Sequence, residues 1–495
     1  MKGVKKLAVL LMSLVMVLGF ASAAFADDAT GSIKINNAVA GQTYHAHKVF
    51  DLESHAGSNY SYTIETTSPW YSFVTSNDIR GTYLTLTKKD ADTYYVTWTQ
   101  GANTADFATK ALTYAKATSA IHDHPEGTAT GATTGDTIIT NLTQPGYYLV
   151  DSTVGALCAL DTSEGDQITV NEKNTLTTVE KKVQDATTGD YASSNKAQIG
   201  DTINFKSEIT VGSGVEKLVL WDTMETGLTY TNQVQVYKGS DAIATTNYDV
   251  VVGGESDDFT FKIAFKDSYT KTLSEGDKLL VEYTATLNEN AEIAADSNDN
   301  TTWVTYGDSM KSAESKTNTY TYKFNLIKTD KDGKVIKGAE FSLYPAQTGG
   351  TAIKLVALNE DDANAHYVYR LATASDTNTT TTVKSGYAEI KGLDAKVYYL
   401  EETKQPTGYN KLSERVKVDL QRGNLASTLQ PFEKDNYEGA AYVTTMGGVQ
   451  VINNSGNEMP STGGMGTVVF YVAGGLIVLG AVLVLVNRKR KNGMF

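Results

Sequence analysis

Glu402 ends the apolar part of the run VYYLEET, residues 397–403. In a strand, side chains alternate between faces, so Tyr398, Leu400 and Glu402 share one side. That side is a core face, and a carboxylate placed there is costly unless it is paired or neutral. A glutamate at a strand end that reaches water satisfies this rule, and so does a buried acid with dedicated partners. Lys181 raises the same question in TVEKKV: it shares a face with Val179 and Val183, while Lys182 points the other way. Asn300 shares its parity with Val304 and Tyr306, and Asn298 lies close by. Three further groups carry less. His45 and His47, and likewise His122 and His124, are two residues apart, but no cysteine or third ligand accompanies them, so no metal site is expected. The acidic run NEDDANAH, residues 359–366, lacks the spacing of a helix-loop-helix calcium site and reads as a solvated loop. The lone Cys158 has no neighbouring histidine and no Gly-x-Ser-x-Gly elbow occurs, so a hydrolase is the weakest functional class.

A different kind of chemistry is written near the C-terminus, where Met459-Pro460-Ser461-Thr462-Gly463 precedes an apolar run. Proline fixes φ and glycine removes side-chain bulk, so the pentapeptide is extended and open to the cleft of another enzyme. Residues 468–486 contain no charge and are just long enough to cross a bilayer. Arg488, Lys489, Arg490 and Lys491 follow and would hold the end on the cytoplasmic side. At the other terminus, Lys2, Lys5 and Lys6 precede an apolar stretch and Ala24-Phe25-Ala26. Residues 1–26 therefore read as a secretory signal peptide cut after Ala26.

The elements that must position these groups are mostly strands. YYVTWT, YYLVDS, DQITVNE, VQVYK, KLLVEYTATL, YKFNLIK, ERVKVDL and VQVIN all alternate or are rich in β-branched and aromatic residues. ADFATKALTYAKATSAI is the one good helix candidate. The expected fold class is all-β, with tandem immunoglobulin-like sandwiches joined by short connectors. The chain carries a net charge of −14. Both terminal segments are basic and contain no acidic residue, so the region between them is more acidic still. That balance excludes nucleic-acid binding and suits an exported rod. A single cysteine cannot close an internal disulfide, so covalent reinforcement must take another form. No cofactor is implied.

Two segments echo one another. GDTIITNLTQPGYYLVDS, from Gly135, and GYAEIKGLDAKVYYLEET, from Gly386, each run strand, turn, then Tyr-Tyr-Leu. With FNLIKTDKDGKVIKGAEFSLY upstream, the second resembles a collagen-adhesin B-type domain over residues 319–458, and residues 27–174 resemble it more loosely. The middle, 175–318, is similar to the A-type module of pilus backbones. Residues 459–495 resemble an LPXTG cell-wall sorting signal, with Met459 in place of leucine. In this order the modules resemble a sortase-assembled major pilin (fimbrial backbone) of Gram-positive bacteria. The resemblance implies a secreted, peptidoglycan-anchored fimbrial protein, cleaved by sortase between Thr462 and Gly463 and supporting adhesion. Its implied partners are sortase, other copies in a head-to-tail polymer, ancillary pilins, peptidoglycan and host surface ligands. The alternative is a wall-anchored monomeric adhesin of the same modular type.

Tyr398-x-Leu400-x-Glu402-Thr403, with Pro406, Gly408 and Tyr409, matches the pilin E-box. In such domains a lysine on the first strand attacks an asparagine amide on the last, with a carboxyl group as catalyst. Burial favours the neutral lysine and the protonated acid that this needs. The resemblance assigns Lys328, Glu402 and Asn453 to the third domain, with Asn454 the next acceptor. It assigns Lys181, Asp222 and Asn300 to the middle domain, with Asn298 as the rival. Each bond forms once, by autocatalysis, so the chain is not an enzyme in the usual sense. In the first domain Asp151 stands where Glu402 does, but SIKINNAVAGQTY offers asparagine in the lysine's place, and no such bond is expected. DQITVNEKN resembles a pilin motif without its tyrosine, proline and upstream tryptophan. The aligned linking lysine is Lys173, and Lys238 in VQVYKG is the second choice.

Overall fold

The computed structural model describes residues 31–131, 135–143, 145–254, 256–293, 296–421, 448–456 and 465–491. The secretory segment 1–26 and the pentapeptide Met459–Gly463 lie outside these residues. The described chain is built mainly of strands and divides into two compact units.

The first unit holds four sheets in two groups that share no strand. In the N-terminal group a three-stranded sheet places Gly31–Asn36 between Gln167–Asn171 and Thr137–Leu142. Its first and last strands run parallel, with Asn36 opposite Asn171. A larger sheet is centred on Thr43–Ala56 and Gly146–Ser152, paired antiparallel with His45 opposite Asp151. The helix expected from the sequence is Thr104–Ala117. Asn103 caps it, its side chain accepting from the Ala105 and Asp106 amides, and Phe107, Ala111, Leu112 and Ala115 turn into the core. A second, short helix at Tyr71–Thr75 was not foreseen, because five residues are too few to show a period.

The second group forms a sandwich. One sheet orders Tyr191–Ala192, Thr178–Gln184, Thr202–Thr210, Lys278–Leu287, Leu228–Lys238 and Asp241–Ala242. The other is built around Val219–Met224, flanked by Asn298–Tyr306 and Phe261–Phe265. In Lys278–Leu287 every second residue, from Leu279 through Tyr283 to Leu287, is buried. This is the alternation of a half-buried strand, and its inner face meets the other sheet. Tyr283 packs edge-on against Phe261 with ring centroids 4.9 Å apart, and Phe261 stacks on Tyr230 at 4.4 Å.

The second unit contains a five-stranded sheet ordered Leu355–Asp361, His366–Leu371, Tyr387–Leu393, Tyr322–Thr329 and Gly448–Ile452. A four-stranded sheet orders Val383–Ser385, Ala339–Tyr344, Val397–Lys404 and Val416–Asp419. First and last strands are again parallel neighbours, with Lys328 opposite Val451. Met465–Lys491 is a helix, and its Phe470–Arg490 stretch is long and apolar enough to cross a membrane.

Candidate functional sites: two buried lysine, acid and asparagine clusters

In the four-stranded sheet, Tyr398, Leu400 and Glu402 all point inward, and Glu402 is only 1 % exposed. Its carboxylate meets the last strand's end: Asn453 Nδ2 donates to Oε1 at 2.8 Å and to Oε2 at 3.1 Å. The Leu412 amide also donates to Oε2, at 2.7 Å, which adds a second anchor for the carboxylate. Asn453 Nδ2 further donates to the Asn410 carbonyl at 2.9 Å, while its Oδ1 is buried without a partner. Lys328 is fully buried and donates to the Val451 carbonyl at 2.9 Å and the Thr329 carbonyl at 3.2 Å. Burial lowers its pKa to about 8, against the opposing pull of the Glu402 and Asp330 charges. Asn454, the rival acceptor, is exposed.

The middle cluster is tighter. Lys181 Nζ donates to Asp222 Oδ2 at 2.5 Å, and both side chains are fully buried. Burial lowers the lysine pKa and raises that of Asp222, each opposed by the charge of the other. Such a pair has a high cost as ions and a lower one as a neutral amine and acid. Asp222 Oδ1 and Asn300 Oδ1 are both buried acceptors without a hydrogen-bond partner. Asn298 is equally buried but otherwise employed: its Oδ1 accepts from the Glu292 amide at 2.9 Å and its Nδ2 donates to the Glu292 carbonyl at 3.1 Å. Two inward asparagines on one strand are thus separated by their partners.

Sequence reasoning missed Tyr283. Its hydroxyl donates to Asp222 Oδ2 at 2.5 Å, accepts from Lys181 Nζ, and accepts from Asn300 Nδ2 at 3.3 Å. Its ring and that of Phe205 enclose the ammonium, with centroids 4.8 and 5.2 Å from Nζ. Alternation alone marked this tyrosine only as core.

In the first group Asp151 is buried, and His45 Nδ1 and His47 Nε2 lie 3.4 and 3.5 Å from its Oδ1. Burial would raise the Asp151 pKa, yet the two neighbouring imidazoles hold it below the usual carboxylate range. The histidine pair therefore serves this acid. Among the described residues no group of three or more His, Cys, Asp or Glu is placed to hold a metal ion. His122 pairs instead with Asp123.

Lys173 is exposed at the junction of the two groups, its Nζ donating to the Cys158 carbonyl at 2.9 Å. Glu172 Oε1 accepts from the Lys173 amide, the Asn174 amide and Asn174 Nδ2, each at 2.8 Å. Asn174 Oδ1 accepts from the Leu157 amide at 2.9 Å and its Nδ2 donates to the Leu157 carbonyl at 2.8 Å. Lys116 and Glu216 bridge the same junction at 2.6 Å. Lys238 is committed to Asp277 at 2.5 Å.

Residues 322–433 match the SpaA family, described as a prealbumin-like fold domain, and residues 452–493 match the LPXTG cell wall anchor motif. No curated protein matches the chain. Among solved structures, the T6 backbone pilin of serotype M6 Streptococcus pyogenes is 16 % identical, with a TM-score of 0.50 covering 80 % of this chain and 81 % of that one. The major pilin SpaD of Corynebacterium diphtheriae is 17 % identical, with a TM-score of 0.50 covering 88 % of this chain and all of that one. Strand-rich tandem domains and a wall-anchor segment define a Gram-positive cell-surface protein anchored to the wall. Within that class the chain resembles the sortase-assembled major pilins.

Proposed function

We propose that the chain is the major structural subunit of a covalently polymerised pilus. The three domains are 27–174, 175–318 and 319–458. Sortase cleaves after Thr462 and transfers its acyl group to Lys173 of the next copy, and to wall peptide at the base. The reading rests on one observation above all: two successive modules each bury a lysine, an acid and an asparagine that converge from different strands. Isolated buried ionisable groups are avoided in ordinary cores, so two such clusters point to a reaction between their members.

In each module the neutral lysine Nζ attacks the asparagine Cγ, and the acid gives its proton to the amide oxygen. Nδ2 leaves as ammonia and the acid recovers its proton, leaving an amide that joins lysine to asparagine. In the third domain this joins Lys328 to Asn453, once the Asn453 amide turns its Oδ1 toward a protonated Glu402. In the middle domain it joins Lys181 to Asn300. The first domain, whose Asp151 is engaged by two histidines, forms none. Tension entering at Thr462 would reach Asn453 and pass to Lys328 without loading the sheets between.

Immunoblots of wall extracts in denaturant test the function. A polymer gives a ladder of multiples that Lys173→Ala reduces to monomer. A single band from the wild type would leave only a wall-anchored monomer.

A further inference from the structure

We infer that Tyr283 is a catalytic residue of the middle-domain cross-link, carrying the proton that must pass from the attacking to the leaving nitrogen. The inference rests on the proposed Lys181–Asn300 reaction and adds a part to it.

Amide exchange has a proton problem that the carboxyl group alone handles awkwardly. When Lys181 Nζ bonds to Asn300 Cγ, that nitrogen holds one hydrogen too many, while Nδ2 needs one more to leave as ammonia. Tyr283 Oη is hydrogen-bonded to both nitrogens, accepting from Lys181 Nζ and from Asn300 Nδ2. Its own proton points at Asp222 Oδ2 in the resting cluster. Once Asp222 has given its proton to Asn300 Oδ1, the hydroxyl can turn. It takes a proton from Nζ as it gives its own to Nδ2. The Cγ–Nδ2 bond then breaks with its electron pair on nitrogen, Oδ1 returns its proton to Asp222, and the carbonyl re-forms. One amine and one primary amide have become one secondary amide and ammonia, with Tyr283 and Asp222 unchanged.

The surroundings suit a relay. Tyr283 is buried between Phe205, Tyr230 and Phe261, so solvent cannot supply the proton. Burial and the Asp222 charge push the phenol pKa well above its ordinary value, so it stays protonated between transfers. The third-domain cluster is built differently. There Lys328 Nζ faces two backbone carbonyls and Asn453 Nδ2 faces Glu402 and a third carbonyl. Among the described residues no hydroxyl is hydrogen-bonded to both nitrogens in that site, so Glu402 must serve both protons. The two modules then differ in one testable respect.

The full chain is made in a cell-free system, sampled over time, denatured, digested and mapped for peptides joined through Lys181–Asn300 and Lys328–Asn453. Wild type should show both. Tyr283→Phe should slow the middle-domain link at least tenfold and leave the third-domain link at its wild-type rate. Replacing Tyr283 by 3-fluorotyrosine, which alters the acidity of the hydroxyl and hardly its shape, should also change the middle-domain rate. Because that variant keeps the packing, a rate change in it cannot come from misfolding. A middle-domain rate unchanged in both variants overturns the relay. A wild-type chain without the Lys181–Asn300 peptide overturns the underlying cross-link instead, and Asp222→Ala separates the two outcomes, since it should abolish the link whether or not Tyr283 takes part.

Discussion

Glu402→Gln removes a proton donor while preserving nearly everything else in the third domain. Glutamine has the same volume, and its side-chain oxygen can still accept from the Leu412 amide, now 2.7 Å from Glu402 Oε2. It cannot lend a proton to an amide oxygen, so the variant should fold without the Lys328–Asn453 bond. The stability lost can be worked out from the chain. A link between those residues closes a loop of about 125 residues, and loop-closure entropy assigns roughly 5 kcal/mol to a cross-link of that size. For a domain of this length each kcal/mol moves Tm by about 3–4 °C, so the third-domain transition should fall by about 15–20 °C. The shortfall of the intact mass from the mass calculated for each sequence should be smaller by one ammonia in the variant than in wild type. Under force, the wild-type domain should yield no long extension. The variant should release about 120 residues, or roughly 400 Å of chain. A variant that keeps the mass deficit, or loses it with no change in Tm or extension, would refute the reasoning.

Asp222→Ala takes the hydrogen-bond partner from the buried Lys181 and also removes the middle-domain link; calorimetry of the full chain should show the middle transition lowered most. In an Asn453→Ala chain, which cannot cross-link, Lys328 should make stability depend on pH. Its folded pKa of about 8 lies below its unfolded value of 10.5, so the unfolded state binds more protons between them, and stability should rise by about 3 kcal/mol from pH 8 to pH 10.5, read by denaturant titration. Gly214→Ala should loosen the junction that presents Lys173. A Cβ there would lie 2.0 Å from Asn174 Oδ1, on a backbone with φ of +73°, so protease cleavage near residues 172–176 should come earlier than in wild type.

Much of this was legible in the sequence because strands have a period of two. The parity of Tyr398, Leu400 and Glu402 placed the acid inside, and that of Val179, Lys181 and Val183 chose Lys181 over Lys182. Parity could not separate Asn298 from Asn300, since both face inward; what separates them is the Glu292 backbone, which occupies the first. Nor could it mark Tyr283, whose place in KLLVEYTATL matches that of any core aromatic until Asp222 and Asn300 arrive from the opposite sheet. His45 and His47 showed a shared face, but their partner Asp151 lies on a strand about a hundred residues away in sequence. Contacts of that kind belong to the pairing of distant strands and sheets, which local pattern does not encode.

The central claim concerns which two atoms join one subunit to the next. Wall-extracted polymer, digested and sequenced by tandem mass spectrometry, should give a branched peptide in which the Thr462 carbonyl is bonded to Lys173 Nζ. Recovery of Thr462 on wall peptide alone, or on Lys238 with Lys173 unmodified, would contradict it.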